Sequence, residues 1–485
     1  MARPSPLDIY ALLDKSNCKD CGYDTCMAFA TDLLERKITL DDCTHLNTDP
    51  KQKKNLNKLK ILTMPPQRPV VLGNGDRKCV IGGEEVLMRH QLTYYNETAI
   101  FIELADDDPD LEEKAKYLTD LTIERIGDVL KINGIALRNV SGEKEQFKLA
   151  AKNISEISNL PVILCCLNLD NLIAAATEIK DKKPLLYACT KESWEQIGKF
   201  AVENQLPVVI TSVDIDELVS LSATLQKLGV KEIVLDPGTF FGPGNLTVTY
   251  DRIMQLRTAA IDKGDKNAGW PVMGVPASYW SQVKIKNDKD LWAHQYQEII
   301  MGAIMESIAT SLIILHTGQE KDEIWALLAL MTLRQSVYSD PRIYPAVDPG
   351  LYVIGEPDDM APIFVTSNYR MTKIPVEQDL QGANLKCYLL VVDTEGIGIE
   401  SAVAGGQFNA GGIAEAVKEF NAFDKVKHRI LVLPGMAARL SGALEDEANA
   451  FVVVGPRDSS GIPKFMETQW KPEEFMKEYE SWGKE

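Results

Sequence analysis

From residue 99 onward the chain alternates short apolar runs with longer amphipathic stretches. The runs are AIFIELAD (99–106), KINGIALRNV (131–140), PVILCCLN (161–168), PLLYAC (184–189), PVVITSVD (207–214), EIVLDPG (232–238), PVMGVPAS (271–278) and SLIILHTG (311–318). Each is close to continuously apolar, the pattern of strands buried on both faces. Stretches of helical periodicity separate them, such as ESWEQIGKFAVEN (192–204) and DIDELVSLSATLQKLG (214–229), and EKDEIWALLALMTLRQSVYS (320–339) closes the last unit. Eight β–α units predict a (β/α)8 TIM barrel over 86–340.

Prolines at 341, 345, 349, 357 and 362 then break the rhythm and predict a linker over 341–361. Beyond it PIFVTSN (362–368), KCYLLVVDT (386–394), HRILVLPG (428–435) and NAFVVVGP (449–456) read as strands. GGIAEAVKEFNAF (411–423) and AARLSGALEDEA (437–448) read as helices. Residues 362–485 are therefore expected to form a small doubly wound α/β domain. Its loops are dense in Gly, Ala, Ser and Thr and poor in charge: TSNYRMT (366–372), DTEGIG (393–398), AGGQFNAGG (404–412), PGMAARLSG (434–442) and GPRDSSGIP (455–463). Gly405, Gly406, Gly411 and Gly412 allow backbone to approach a ligand, and helix starts at 411 and 437 offer unpaired N–H groups. A large flat ligand with many amides suits such a surface. A nucleotide is the rival, although the glycines lack GxGxxG spacing, and ordinary turn glycines are the plain alternative.

In the barrel, the residues at the strand ends include Asp106, Arg138, Asn139, Asn168, Asp214, Asp236, Ser278 and His316. DPGTFFGPGN (236–245) is either a ligand loop or a plain strand-to-helix turn. Cys165 and Cys166, within a strand, read as small core hydrophobes. No HExxH, Walker loop or triad assigns chemistry here.

The N-terminus carries the sharpest chemical signal. SNCKDCGYDTCMAFATDLLERKITLDDCTHL spaces Cys18, Cys21, Cys26 and Cys43 as Cys-x2-Cys-x4-Cys-x16-Cys. Nine cysteines, an odd number, argue for thiolate ligands over a disulfide framework. Two ligands on a tight loop, one at a helix start and one on the returning chain suit a [4Fe–4S] cluster. Structural zinc is the competitor, although only one Cys-x2-Cys knuckle occurs. His45 reads as a surface residue. A module over 1–60 and a linker over 61–85 are expected, with the lysines of KQKKNLNKLK (51–60) as a solvated tether.

Charge and composition narrow the partners. The 485 residues include 52 Lys and Arg against 70 Asp and Glu, a net charge of −18. That balance argues against nucleic acid, whose phosphates need clustered positive charge. No apolar run reaches the ~20 residues of a membrane span, and MARPSPLDIY lacks a signal-peptide core. A soluble, cytoplasmic protein is expected.

Cluster module, barrel and Gly-rich α/β domain together resemble the large (gamma) subunit of the corrinoid/iron–sulfur protein of the acetyl-CoA decarbonylase/synthase system, along nearly the whole chain. The resemblance rests on the four cysteines and their spacing, on TSNY (366–369), AGGQF (404–408), PGMAARLSG (434–442) and VGPRDSSGIP (454–463). It implies a [4Fe–4S] cluster on Cys18, Cys21, Cys26 and Cys43, and a corrinoid whose lower face rests on the C-terminal loops. The implied corrinoid contacts are Thr366, Asn368, Tyr369, Thr372, Gly405, Gly406, Phe408, Gly435, Ala437, Ala438, Ser441, Gly442 and Gly455, with Tyr338 and Tyr344 near the linker. It implies a methyl carrier (a methyltransferase component) that takes a methyl group from a methyl-tetrahydropterin on Co(I) and delivers it to acetyl-CoA synthase. The implied partners are a small (delta) subunit forming a heterodimer, a methyltransferase, and acetyl-CoA synthase/CO dehydrogenase. The barrel would be mainly structural.

The histidines bear on the mechanism. His45, His90, His294, His316 and His428 all lie outside an Asp-x-His-x-x-Gly pattern and outside the Gly-rich loops. Cobalt without a protein ligand below it is the expectation, since losing an axial donor favours Co(I). A mobile N-terminal module that visits and withdraws is the second expectation. Two alternatives stay open: a pterin-dependent barrel methyltransferase, and an iron–sulfur electron-transfer subunit without corrinoid.

Overall fold

The structure, a computed structural model, describes residues 4–91, 93–242, 245–339 and 344–482. Pro243, Gly244 and Pro341, in the expected loop and linker, lie outside the described residues. The chain divides into two compact units, residues 1–123 with 130–339 and residues 124–129 with 340–485.

The first unit opens with the cysteine segment. Helix α1 (Cys26–Leu34) starts where the Thr25 hydroxyl accepts from the Ala28 amide at 3.1 Å. Its Phe29, Ala30 and Leu33 gather with Ile9, Leu13, Leu46 and Leu59 into a core of seven buried side chains. Leu59 comes from helix α2 (Lys53–Leu62), so the lysine-rich stretch is not a free tether. Leu56, Leu59 and Leu62 share one face at helical spacing and press on this core, while the lysines take the other. Arg36 ties the segment to the chain that follows. Its guanidinium donates to the Gly83 carbonyl at 2.6 Å and to Glu85 at 2.7 Å, and covers the Tyr95 ring at 4.0 Å.

Where a linker was expected, Pro69–Leu72 and Cys79–Gly82 pair as an antiparallel hairpin. Its Val70, Leu72, Cys79 and Ile81 are buried in the same cluster as the barrel strands. The barrel strands are β1 (Ala99–Ala105), β2 (Gly134–Arg138), β3 (Val162–Cys165), β4 (Leu185–Cys189), β5 (Val208–Thr211), β6 (Ile233–Asp236), β7 (Met273–Gly274) and β8 (Leu312–Leu315). All are parallel, neighbours in sequence are neighbours in space, and β8 returns to β1. A bridge between Leu235 and Val272 joins β6 to the β7 segment and completes the ring. The eight expected runs thus become the eight staves. Gly134 lets β1 and β2 approach, because a Cβ there would lie 2.0 Å from the Phe101 ring.

The second unit holds a five-stranded sheet in the order β9 (Gly350–Ile354), β11 (Cys387–Val392), β10 (Ile363–Ser367), β12 (Ile430–Leu433) and β13 (Phe451–Val454). Four strands are parallel, and β9 runs antiparallel along β11. Strand β9 falls inside the stretch expected to be a linker, where GLYVI sits between Pro349 and Gly355. Separate apolar clusters cover the two faces. One holds Phe408, Ile413 and Leu444, the other Leu380 and Phe465, as double winding requires. Residues 124–129, from a hairpin between β1 and β2, belong to this unit through Asp128, which pairs with Arg370 at 3.2 Å. Chain order reverses between β10 and β12, because β11 lies on one side of β10 and β12 on the other.

Candidate functional site

Two groups of residues come together, one in each unit. In the first unit Cys18, Cys21, Cys26 and Cys43 line one small cavity, with Leu13, Tyr23 and Phe29 as apolar wall. The loop is fixed by Asn17, whose side chain accepts from the Cys26 amide at 2.8 Å. All four thiols are free and partly exposed, and no disulfide joins them. Burial pushes the Cys43 thiol above its ordinary range, with Cys21 adding to the push, so a bound cation is what would make it a thiolate. Four soft donors around one cavity fit an iron–sulfur cluster. The thin core of this segment agrees, since small modules lean on bound metal. His45 is half exposed and bridges Asp14 at 3.1 Å and Asp20 at 3.3 Å. Donor atoms of Cys18, Asp20 and His45 lie within 4.8 Å of one another, a trio that shares Cys18 with the four-thiol set.

In the second unit a cavity of about 240 Å³ opens at the carboxyl ends of β10, β12 and β13. This is the reversal point of the sheet, where open α/β folds bind ligands. Thr366, Thr372 and Gly455 line it, all three expected from sequence. Met371, Met436, Arg457 and Ser459 also line it and were missed, because the loops were searched for glycine and hydroxyls. The Thr366 hydroxyl is buried without a hydrogen-bond partner among the described residues. An unpartnered buried hydroxyl costs free energy unless something meets it. Gly435 admits the opposing loop, for a Cβ there would lie 2.9 Å from the Arg457 amide and the Gly455 carbonyl. Whole ligand sites run to ~300–1,000 Å³, so this cavity suits one arm of a larger ligand. The donor set and the space fit part of a corrinoid.

Other expected contacts take different positions. Phe408 and Ala437 are fully buried in the core, and neither lines the cavity. Asn368 is buried too: its carbonyl oxygen accepts from the Thr394 amide and hydroxyl and the Gly396 amide, while its amide donates to Asp393. It shapes the 393–396 turn. Gly405, Gly406 and Gly442 are exposed on the loops, Tyr369, Gly435, Ala438 and Ser441 are half buried, and Tyr344 is exposed. Tyr338 belongs to the first unit, where its hydroxyl meets Thr98 at 2.9 Å. His428, the sole histidine of the second unit, is buried at the opposite end of β12, bonded to the Ala361 carbonyl at 3.0 Å.

Most of the barrel's strand-end residues hold its loops. Asp106 accepts from Asn139, Val140 and Ser141. Asn168 and Asp214 cap helices. Asp236 is buried and accepts from Tyr187 at 2.7 Å and the Gly238 amide at 2.9 Å. Thr239, in the 236–245 loop, accepts from the Val275 amide, the anchoring of a tightly folded turn. No helix among the described residues is long and apolar enough to cross a membrane.

Two family models match this chain. Residues 69–466 match the family described as CO dehydrogenase/acetyl-CoA synthase delta subunit, and residues 13–45 the family described as "Putative Fe-S cluster". A curated relative from Methanothermobacter thermautotrophicus is 40% identical over 464 residues, covering 95% of this chain and 98% of the relative. One from Archaeoglobus fulgidus is 39% identical over 476 residues, covering 97% and 99%. Both are named acetyl-CoA decarbonylase/synthase complex subunit gamma. Among solved structures, dihydropteroate synthase from Thermus thermophilus matches 56% of this chain and all of its own, at 15% identity and a TM-score of 0.36.

Proposed function

The chain belongs to the CO dehydrogenase/acetyl-CoA synthase subunit family, with gamma subunits of the acetyl-CoA decarbonylase/synthase complex as its relatives, and from that premise we propose that it is the corrinoid-bearing methyl carrier of such a complex. The carrying observation is the cavity at the β10–β12 reversal, too small for a whole cofactor and edged by the unmet Thr366 hydroxyl. When bound, the corrinoid supplies the nucleophile that takes a methyl group from a methyl-tetrahydropterin and yields it to acetyl-CoA synthase, and a [4Fe–4S] cluster supplies electrons that restore oxidised cobalt.

The chain's own residues bind and orient. Thr366, Thr372 and Gly455 receive one arm of the ligand, with Met371 and Met436 as adaptable apolar wall. Outside the cavity, the exposed Gly405, Gly406, Gly442 and Tyr344 and the half-buried Tyr369, Ala438 and Ser441 would meet the rest of the ligand. Phe408 and Ala437 anchor those loops in the core, and Asn368 holds the 393–396 turn. His428, the one histidine of the second unit, is buried at the opposite end of β12, so no imidazole of this unit would reach a group held on this face. Cys18, Cys21, Cys26 and Cys43 hold the cluster. A small (delta) subunit covers the corrinoid, and the methyl donor and acceptor stand on further partners.

Anaerobically purified protein tests this directly. Corrinoid absorption bands over an iron–sulfur shoulder are expected, with a Co(II) electron spin resonance signal free of nitrogen superhyperfine splitting. An iron–sulfur shoulder with no corrinoid after reconstitution would leave the electron-transfer reading instead.

A further inference from the structure

The mouth of the barrel holds a set of charged side chains that neither the cluster nor the corrinoid uses. A cavity of about 300 Å³ opens there, lined by Glu103 and Ala105 of β1, Arg138 of β2, and His316 just past β8. Glu103 is buried and anchors both cations from behind. One carboxylate oxygen meets His316 Nδ1 at 2.6 Å, and the other meets Arg138 Nε at 3.1 Å. The His316 ring lies against Trp280, with centroids 4.7 Å apart. Fully buried Glu298 fixes the turn beneath, accepting from the His316 amide at 2.6 Å, the Thr317 amide at 2.9 Å and Trp280 Nε1 at 2.8 Å.

Counting which atoms remain uncommitted decides the ligand class. The rim carboxylates are occupied. Asp108 and Glu320 hold Lys114 at 2.8 and 2.9 Å, and Glu323 accepts from the Gly318 and Gln319 amides and from Gln295. By contrast, neither the Arg138 Nη groups nor His316 Nε2 has a hydrogen-bond partner among the described residues. Burial lowers the His316 pKa, but the hydrogen bond to Glu103 and the charges of Glu103, Glu298 and Glu323 together outweigh it and raise the pKa, favouring an imidazolium with Nε2–H as a further donor. Around the cavity Glu103, Asp108, Glu320 and Glu323 face Arg138, Lys114 and His316, and the two uncommitted donors lie on the inner wall beside Glu103. Charged donors left free in this way favour an acceptor.

We propose that the barrel mouth is a second ligand site, taking the oxyanion end of a small molecule on Arg138 and His316. Its place at the C-terminal face, where barrels carry their sites, agrees with this. The site is independent of the corrinoid reading.

The test uses the full chain with isotope-labelled histidine, titrated separately with inorganic phosphate and with acetate at constant ionic strength made up with chloride. One of the five histidine signals, identified by its loss in His316→Gln, should shift saturably. Response to phosphate alone assigns a phosphate-bearing ligand, response to acetate alone a carboxylate, and response to both the shared oxyanion chemistry. Arg138→Gln should weaken the binding about tenfold or more, as charged hydrogen bonds warrant. Arg138→Lys, which keeps the charge and loses the fork, should fall between. No saturable shift with either anion, or an unchanged response in folded Arg138→Gln protein, overturns the proposal.

Discussion

Gly442→Leu separates a corrinoid surface from an ordinary loop. Gly442 is the second residue of the helix Ser441–Ala448, is exposed, and a Cβ built there meets nothing within 4 Å. Leucine is the better helix former by roughly 0.8 kcal/mol, so the free protein should be as stable as before or more so. At ~2–4 °C per kcal/mol for a unit of this size, melting should rise about 2 °C. If the loop carries the corrinoid, the new side chain occupies space the ligand needs, an overpacking cost of ~1–3 kcal/mol. At 1.4 kcal/mol per decade, retention should drop between about fivefold and a hundredfold. The assay is the ratio of corrinoid absorbance to protein after gel filtration of reconstituted material, beside a melting curve of the cofactor-free form. Wild-type retention in a protein that melts normally would refute the assignment of this loop.

Further predictions touch other parts of the molecule. Cys26→Ser should lose iron and the broad visible absorbance while barrel melting is unchanged; full iron content would remove that thiol from the site. Arg36→Ala breaks contacts to Gly83, Glu85 and Tyr95, and should cost about 1–3 kcal/mol of local stability, read as faster amide exchange in 26–34 with 99–105 unaffected. Glu306 is fully buried, neither carboxyl oxygen has a partner among the described residues, and burial pushes its pKa up to about 8. The folded state therefore holds this proton more tightly than the unfolded chain does, and stability should fall as pH rises from 4.5 toward 8. Glu306→Gln should flatten that decline by a few kcal/mol at most, and an unchanged slope in urea titrations would exclude Glu306 as its source.

The barrel was legible because strands buried on both faces write unbroken apolar runs, and all eight became strands within a few residues. Shorter runs were not. PVVL and CVIG at 69–82 are four residues each, and GLYVI was hidden by its flanking prolines. Leu56, Leu59 and Leu62 carried a helical stripe that the surrounding lysines concealed. The four thiols stood out by their spacing, and they line one cavity in the structure. The C-terminal loops were legible as loops, but which residues face a cavity depends on strand order. Hence Phe408 and Asn368 stood in for Met436 and Arg457. Glu103 escaped notice because it interrupts an apolar run, although its alternation with Phe101 and Ala105 already set it on one face of the strand.

Residues 124–129 give the polypeptide an unusual connectivity. They leave the first unit, join the second, and return, so the path crosses from one to the other three times. A protease nick at 339 would therefore release nothing: the severed carboxyl-terminal fragment would stay docked on the Asp128 hairpin, held by Arg370 and by Ile374 against Gly127. Excising the second unit as an independent recombinant piece would, for the same reason, mean grafting that hexapeptide back on.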